Sequence, residues 1–301
     1  MKVLITGATG FIGKCLVEEN RFSYRYVVRR GAQHNFIDFI TIDSIDSNTV
    51  WGESLIGVDA VIHLAGLAHK GDYKDQDYFD VNTEGTLRLA SESVKAGVSR
   101  FIYISSIGVN GGSSHGKPID EQTPCSPHNA YAESKYRAEV GLRKLSKESG
   151  LEVVIIRPTL VYGRNAPGNF GSLVRIISKL PALPFGCVKN KRSFVSVNNL
   201  SDFILLCVTH PMAANETFVI SDDNDISTKE FINLVAKSLG KYLIQVPIPV
   251  SILSHCAKLL GKSNISDQLL ADLYVDISKA KKLLNWVPKE TIFQAMENLH
   301  N

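Results

Sequence analysis

A glycine-rich turn near the start of the chain constrains its fold more than any other feature. The segment Gly7-Ala8-Thr9-Gly10-Phe11-Ile12-Gly13 follows the apolar run Val3-Leu4-Ile5 and opens a stretch with helical spacing. Glycines allow tight turns and close packing of a helix on a strand, where a side chain would collide with the backbone. A buried strand, a glycine turn and a helix in this order are typical of the first unit of a doubly wound parallel sheet.

Short apolar runs alternate with helical stretches through the first half of the chain, as buried parallel strands and their connecting helices do. The predicted strands are Lys2–Ile5, Arg25–Val28, Phe39–Ile42, Ala60–Leu64, Phe101–Ser105 and Val153–Arg157, with Thr217–Ile220 returning to the sheet edge. The predicted helices are Ile12–Asn20, Thr83–Ala96 and Ala130–Ser149, the last ending at Gly150. We expect an α/β fold: a Rossmann-type doubly wound sheet with a dinucleotide-binding domain at 1–160 and a smaller, mainly helical substrate-binding lobe at 161–301.

Composition and charge exclude several other classes of protein. A net charge of +3, with scattered Lys and Arg, argues against nucleic-acid binding. No window reaches the roughly 18 apolar residues of a membrane span, so no membrane partner is expected, and Val246–Gly261 is interpreted as a packed lobe helix. Five widely spaced cysteines fit neither a disulfide framework nor a zinc site, which indicates a reducing cytoplasm and no metal.

The glycine turn predicts a nicotinamide dinucleotide, because turn and helix amides can bind the pyrophosphate. Proteins that prefer NAD carry an acidic residue about 20 positions later, where it binds the ribose 2′-hydroxyl. Here Arg29-Arg30 holds that place, and guanidinium groups favour the 2′-phosphate of NADP. NADP is therefore expected, with NAD as the alternative. Asp43, after the third predicted strand, is a candidate contact for the adenine.

A phenol and an ammonium lie four residues apart in Tyr131 and Lys135. On a helix they share one face, and the positive charge is expected to lower the pKa of Tyr131 so that it exchanges a proton near neutral pH. Ser106 follows a predicted strand and can orient a reacting oxygen. Together with a dinucleotide site, these residues predict hydride transfer.

These segments together resemble the extended short-chain dehydrogenase/reductases, the superfamily of nucleotide-sugar epimerases, dehydratases and reductases. The resemblance covers nearly the whole chain and extends to His63-Leu64-Ala65-Gly66, Val81–Thr86, Arg157-Pro158, Arg192–Val195 and Asp276–Ala280. It implies that Tyr131 is the general acid/base, that Lys135 binds the nicotinamide ribose, and that Ser106 hydrogen-bonds the reacting oxygen. It also implies a homodimer formed through the helices at Thr83–Ala96 and Ala130–Ser149.

The candidate site residues fall into three groups. The catalytic candidates are Ser106, Tyr131 and Lys135. The cofactor-binding candidates are Gly7, Thr9, Gly10, Phe11, Ile12, Gly13, Arg29, Arg30, Asp43, Ser44, Leu64, Ala65, Gly66, Asn82, Tyr131, Lys135 and Pro158. The substrate-binding candidates are Ser106, His69, Asn169, Phe170 and Arg192, with Arg192 matching a pyrophosphate-binding arginine of the superfamily.

Several positions differ from the sequence motifs of the superfamily, and these differences limit which reactions are expected. Dehydratases carry an Asp-Glu pair where this chain has Ile107-Gly108, which argues against dehydration. Arg29-Arg30 and Leu160 replace an Asp and an Asn of UDP-glucose 4-epimerases. The leading expectation is therefore an NADP(H)-dependent reductase of a UDP-4-keto-6-deoxy-N-acetylhexosamine for surface polysaccharide. A UDP-hexose 4-epimerase is the alternative, and a non-catalytic NADP-binding sensor is a more distant one.

Overall fold

The computed structural model describes residues 1–68, 73–259, 261, 268–297 and 299. Its strands are β1 (Lys2–Thr6), β2 (Ser23–Arg29), β3 (Phe39–Ile42), β4 (Ala60–His63), β5 (Arg100–Ile104), β6 (Glu152–Pro158), β7 (Leu160–Tyr162), β8 (Ala182–Leu183), β9 (Arg192–Ser196), β10 (Thr217–Ile220), β11 (Asp225–Ile226) and β12 (Ile244–Gln245). Its helices include α1 (Phe11–Glu18), α2 (Asp75–Tyr78), α3 (Thr86–Lys95), α4 (Ala130–Ser149), α5 (Gly168–Lys179), α6 (Val197–Thr209), α7 (Thr228–Ser238), α8 (Val250–Leu259), α9 (Ser278–Leu284) and α10 (Ile292–Glu297).

The central sheet is parallel throughout its described strands. Its order is β3-β2-β1-β4-β5-β6-β10, so β10 returns to the edge beside β6 as the sequence predicts. Strand β1 pairs with both β2 and β4, and the winding direction reverses between β1 and β4. Ligands of doubly wound sheets bind at the carboxyl ends of the strands at this reversal. The turns after Thr6 and His63 are therefore placed side by side at the predicted cofactor site.

The two faces of the sheet are covered by different helices. Alternate residues of β1 enter different clusters: Val3 and Ile5 lie in one hydrophobic core, and Leu4 lies in the other. The first core includes residues of α1 and α6, and the second includes residues of α3 and α4. Because side chains alternate along a strand, a sheet buried on both faces needs apolar residues at consecutive positions. The continuous apolar runs in the sequence follow from this double burial.

One connection differs from the sequence prediction. The expected helix at Thr83–Ala96 starts earlier, with α2 and a π-helical segment at Phe79–Gly85 leading into α3. A Cβ on Gly85 would lie 2.9 Å from the backbone of Ile45, so this segment packs closely on the chain after β3. Single π-helical turns occur frequently at functional sites. A single π-helical turn does not change the spacing of apolar residues enough to be recognised in the sequence, so the earlier start is not predicted.

A third apolar cluster forms the core of the lobe. Phe194 and Phe231 stack with their ring centroids 3.8 Å apart, and Phe170 packs against Phe231. Helix α8 forms within the apolar segment Val246–Gly261, but none of its residues is buried, so it is not the packed helix that the sequence predicts. No helix among the described residues is long and apolar enough to cross a membrane. All five cysteines are free thiols.

Candidate functional site

The glycine turn after β1 is shaped by contacts that only glycine allows. Gly7 adopts a φ of +74°, and the Gly10 amide donates to the Gly7 carbonyl over 2.9 Å. A Cβ on Gly13 would lie 2.3 Å from the Gly7 oxygen, and a Cβ on Gly7 would lie 2.8 Å from the Ala65 nitrogen. The turn is therefore tight, and it packs directly on the segment that follows β4.

The amino end of α1 fits an anionic group. Gly10 caps this helix without a side-chain acceptor, and its first turn carries no acidic residue. The first amides of a helix lack intrahelical partners and carry partial positive charge, so they bind phosphate oxygens well. This donor set suits the pyrophosphate of a dinucleotide, with Phe11, Ile12 and Gly13 supplying the amides. Thr9 lies half-buried in the turn.

The two arginines after β2 differ in their surroundings. The Arg30 guanidinium forms an ion pair with Asp43, and both side chains are more than two-thirds exposed, at 73% and 71%. Arg29 forms no ion pair with any carboxylate in the described part of the chain. Ser44 donates to Asp46. Arg29 is thus the freer of the two positive groups, while the charge of Arg30 is partly offset by Asp43.

A buried histidine joins the glycine turn to the π-helical segment. His63 Nδ1 lies 2.7 Å from Thr6 Oγ1, and its Nε2 lies 2.9 Å from Thr86 Oγ1. The Thr86 hydroxyl donates to the Asn82 carbonyl, so the Nε2–H of His63 donates to Thr86. Burial lowers the pKa of His63 to about 3. A neutral imidazole therefore connects the two segments at physiological pH.

Asn82 connects the turn after β4 to α4. Its Oδ1 accepts from the Leu67 amide over 2.8 Å, and its Nδ2 donates to the Leu67 carbonyl and to Ser134 Oγ. A Cβ on Gly66 would lie 2.8 Å from Asn82 Oδ1 and 3.3 Å from Lys135 Nζ. Leu64, Ala65 and Gly66 therefore lie between the glycine turn and α4, close to Asn82 and Lys135. Pro158 ends β6 at the same edge of the sheet.

The predicted catalytic hydroxyls meet in the structure. Tyr131 lies in the first turn of α4, which Asn129 caps by accepting from the Ala132 amide. Its phenol is hydrogen-bonded to the Ser106 side chain, and Ser106 itself accepts from the Gly108 amide over 3.1 Å. The Tyr78 ring packs edge-on against Tyr131, with centroids 6.1 Å apart. The phenol and the Ser106 hydroxyl thus meet at the amino end of α4, the helix that also carries Lys135.

The pKa of Tyr131 differs from the sequence expectation. Burial raises this pKa, the hydrogen bond from Ser106 lowers it, and the net direction is upward. Lys135 directs its ammonium to the Ile104 carbonyl at 2.9 Å and lies 4.9 Å from the centre of the Tyr103 ring. Burial also lowers the pKa of Lys135 to about 8, against a smaller opposing effect of Glu139. Desolvation outweighs the expected effect of the ammonium because Lys135 is buried and Tyr131 is partly buried.

A buried ion pair under this site was not anticipated from the sequence. Glu139, on the same face of α4 as Lys135, accepts from Ser105 Oγ at 2.6 Å and from Arg157 Nε at 2.8 Å. Arg157 also donates to Asn110 Oδ1 at 3.0 Å. The network therefore ties α4 to the ends of β5 and β6. The sequence signal for this ion pair is the position of Glu139, four residues after Lys135 and so on the same face of the helix.

The predicted substrate-binding residues lie in different environments. Asn169 lies exposed at the start of α5, with its amide 3.4 Å from Gln268 Oε1, whereas the Phe170 ring is buried in the lobe core. Arg192 starts β9 and donates to the Ala271 carbonyl at 3.1 Å. Burial lowers the pKa of Arg192 to about 10. His69 lies outside the described residues.

Comparisons with known proteins agree with this geometry. The chain is 42% identical over 300 residues to a UDP-glucose 4-epimerase of Vibrio cholerae, covering 96% of this chain and 92% of the relative. It is 30% identical to an Escherichia coli O157:H7 N-acetyl-alpha-D-glucosaminyl-diphospho-ditrans,octacis-undecaprenol 4-epimerase, covering 86% and 80%. A UDP-N-acetylglucosamine 4-epimerase of Bacillus cereus superposes with a TM-score of 0.80 at 21% identity, covering 100% and 98% of the chains.

The glycine turn, the amino end of α1 and the residues Ser106, Tyr131 and Lys135 are the parts of the predicted site. The model of the NAD dependent epimerase/dehydratase family matches residues 3–221, a span that includes all these parts. The sequence resemblance and the Rossmann-type architecture are thereby confirmed. The chain belongs to the NAD dependent epimerase/dehydratase family.

Proposed function

We propose that this enzyme inverts the configuration at C4 of a UDP-linked hexose. The observation that carries the proposal is the hydrogen bond between the Tyr131 phenol and the Ser106 hydroxyl. The 42% identical relative, which matches nearly the whole chain, is named as a UDP-glucose 4-epimerase. This similarity supports epimerisation over the reduction that Arg29-Arg30 alone favours.

Within this proposal the residues have distinct roles at the sugar oxygen. Tyr131 takes the proton of the 4-hydroxyl during oxidation and returns it when the 4-keto oxygen is reduced. Ser106 donates a hydrogen bond to the same oxygen and fixes its position. Lys135 binds the cofactor ribose and supplies positive charge beside the phenol. A nicotinamide held at the glycine turn would supply reversible hydride transfer at C4. Inversion requires that the keto sugar present its opposite face for the return transfer, and the cofactor would be unchanged overall.

A second candidate is one-way reduction of a 4-keto sugar with NADPH. Arg29 favours it, because its guanidinium lacks a carboxylate partner among the described residues and can bind a 2′-phosphate. Reduction uses the same proton donor, since Tyr131 would protonate the oxygen formed at C4. The two reactions differ in their cofactor balance, because a reductase consumes one NADPH per product.

Cofactor balance is therefore the decisive measurement. Purified enzyme is incubated with UDP-glucose, and in a parallel reaction with a UDP-4-keto-6-deoxy-N-acetylhexosamine and NADPH. Epimerisation predicts formation of UDP-galactose with no net change at 340 nm. Stoichiometric loss of NADPH with the keto sugar, and no UDP-galactose in the first reaction, would replace epimerase with reductase.

The choice between NADP and NAD is tested separately at Arg29. If Arg29 binds a 2′-phosphate, Arg29→Ala weakens NADPH binding by about tenfold and leaves NADH binding within about twofold, since one charge-assisted contact contributes roughly 1.5–3 kcal/mol. Titration calorimetry with both cofactors measures this ratio. Lys14→Ala, on the exposed side of α1, is the control. An equal loss for both cofactors would assign Arg29 to a general electrostatic role.

We also propose a homodimer formed through α3 and α4. Val140 is half-exposed on α4, and Leu87 of α3 packs against Gly141, so the two helices present a joint outer surface. Sedimentation velocity of the wild type and of Val140→Glu tests this interface. A charge at a dimer contact is expected to shift the distribution towards monomer, whereas an unchanged distribution would place the contact elsewhere.

A further inference from the structure

Positive charge is segregated along the sequence in a way that the overall net charge hides. Residues 153–201 and 231–261 contain no Asp or Glu, yet they hold ten of the 33 Lys and Arg residues. The rest of the chain carries 23 basic residues against all 30 acidic ones. Both acid-free stretches belong largely to the lobe. A nearly neutral protein thus has a basic lobe.

The structure brings parts of these two stretches together. Strands β8 and β12 pair in parallel, and the Ile244 amide donates to the Pro181 carbonyl over 2.9 Å. The Lys241 ammonium donates to the Ser178 carbonyl near the end of α5. The carboxyl end of α5 and the segment 241–246 therefore form one region with α7, whose Lys229 and Lys237 line a common groove with that segment. Helix α8 follows in the chain, and we call these elements together the lobe face.

The lobe face exposes large apolar side chains among its basic ones. Exposure reaches 90% for Tyr242, 52% for Ile244 and 51% for Ile252, and none of the ten residues of α8 is buried. Ile176 and Leu180 of the α5 end are also nearly half-exposed. Several large exposed apolar side chains within one region are typical of an interaction site. No described residue covers it.

The basic side chains of the lobe face lack acidic partners. They form no ion pair within 4.0 Å of any described carboxylate, and they comprise Arg175, Lys179, Lys229, Lys237, Lys241 and Lys258. Glu230, the nearest carboxylate in sequence, is engaged by Ser227 in the cap of α7. An open groove of about 770 Å³ is lined by Lys229, Lys237 and Lys241 together with Tyr242 and Ile244. Ammonium groups and apolar side chains therefore face the same space.

We propose that the lobe face docks the enzyme on a membrane surface rich in anionic phospholipid. Lysines bind the negative headgroups, and interspersed Ile, Leu and Tyr side chains enter the boundary of the acyl region. A second copy of the chain is a poor occupant, because two-fold packing of this face on itself would oppose lysine to lysine. The lack of a spanning helix does not bear on surface attachment. The proposal is independent of the reaction type.

Vesicle sedimentation tests the proposal with the full-length protein. We expect the protein to sediment with vesicles of equal parts phosphatidylglycerol and phosphatidylcholine, less so at high salt, and to stay in solution with phosphatidylcholine alone. The double variants Ile244→Ser/Ile252→Ser and Lys237→Glu/Lys241→Glu are each expected to lower the partition by at least about tenfold, the first by removing apolar insertion and the second by removing attraction to the headgroups.

Matched controls carry the same changes on the sheet domain. Ile37→Ser, at a side chain that is 98% exposed, and Lys144→Glu/Lys147→Glu on α4 are expected to bind vesicles like the wild type. Thermal unfolding verifies that all variants fold, whatever their activity. Sedimentation independent of phosphatidylglycerol, or an equal loss in the control variants, would overturn the proposal. So would concentration-dependent self-association that the lobe variants abolish.

Discussion

At the scale of single residues, burial sets the acid–base chemistry of the site. Tyr131 and Lys135 both have pKa values shifted towards their neutral forms, upward for the phenol and downward to about 8 for the ammonium. The hydrogen bond from Ser106 opposes the shift of Tyr131. In the proposed mechanism Ser106 therefore has two effects, because it positions the reacting oxygen and also makes the phenol a stronger acid.

Removing the Tyr131 hydroxyl tests its proposed role. Tyr131→Phe keeps the ring that packs on Tyr78 but removes the proton donor, so turnover should fall by about 10²–10⁴-fold. Dinucleotide affinity, measured by calorimetry, should change by less than about threefold. Tyr136→Phe on the same helix is the matched control and should retain full turnover. Activity of Tyr131→Phe close to that of the wild type would remove Tyr131 from the mechanism.

His63 predicts how stability depends on pH. Its pKa of about 3 in the folded chain lies below the ordinary value of 6.5, so the unfolded chain binds the proton first as pH falls. Stability is therefore fully present above pH 6.5 and is lost as pH falls towards 3. At pH 5 the loss is about 2 kcal/mol, from 1.5 pKa units at 1.36 kcal/mol each.

Urea unfolding at pH 7.5 and pH 5.0 measures this effect. The drop in unfolding free energy should be about 2 kcal/mol smaller in His63→Gln than in the wild type, because glutamine does not titrate. His255→Gln, at an exposed histidine, should show the same drop as the wild type. Identical drops in all three proteins would exclude His63 as the source.

At the scale of elements, α4 both carries two of the predicted catalytic residues and anchors them. Lys135 donates to the Ile104 carbonyl, and Glu139 one turn later binds Ser105 and Arg157 on adjacent strands. The side chains of Glu139 and Arg157 are 0% and 2% exposed. A buried ion pair fixes position more than it adds stability, but breaking it leaves a desolvated charge without a partner.

Truncating one partner should therefore be costly. Glu139→Ala is expected to lower the free energy of unfolding by about 3–5 kcal/mol, measured by urea denaturation. Glu133→Ala removes an exposed Glu–Arg pair of the same helix, with Arg137 at 2.7 Å, and should cost less than about 1 kcal/mol. Similar losses for the two variants would mean that water reaches Arg157.

At the scale of the whole molecule, the sheet depends on the second half of the chain. Strand β10 completes its edge, and α6 packs beside α1 on one face. Phe203 of α6 and Phe218 of β10 are fully buried, with their rings 5.3 Å apart. The proposed domain boundary at residue 160 thus marks where the regular strand–helix pattern of the sequence ends. The hydrophobic core includes residues from both sides of this boundary.

Fragments measure this dependence. A fragment of residues 1–160 should lack a cooperative unfolding transition, because one face of its sheet loses the apolar cover of α6. A fragment of residues 1–221 keeps α6 and β10 and should regain cooperativity and dinucleotide binding. Circular dichroism melts and calorimetry with NADH compare the two. A cooperative melt of the shorter fragment would show that α6 is dispensable for the fold.

Much of the sheet was predictable because its signal is local. Double burial requires continuous apolar runs, so Phe39–Ile42, Thr217–Ile220 and the helix Ala130–Ser149 were placed to the residue. The π-helical segment and α6 are not predicted from the sequence. The π-helical segment has no distinctive spacing of apolar residues, and the residues that bury α6 are distant from it in sequence. Among the residues near the site, Glu139 is not predicted, because a single acidic residue on a helix is usually exposed to solvent.

By itself, the sequence determined the alternation of strands and helices, the glycine turn and the pairing of Tyr131 with Lys135. These depend on short-range spacing and on which residue types tolerate a tight turn or share a helix face. Only the tertiary structure decided the direction of the Tyr131 pKa shift, the ion pair that offsets Arg30 and the exposure of α8. Each of these depends on solvent access and on contacts with residues distant in sequence. Neither can be derived from the spacing of residues along the chain.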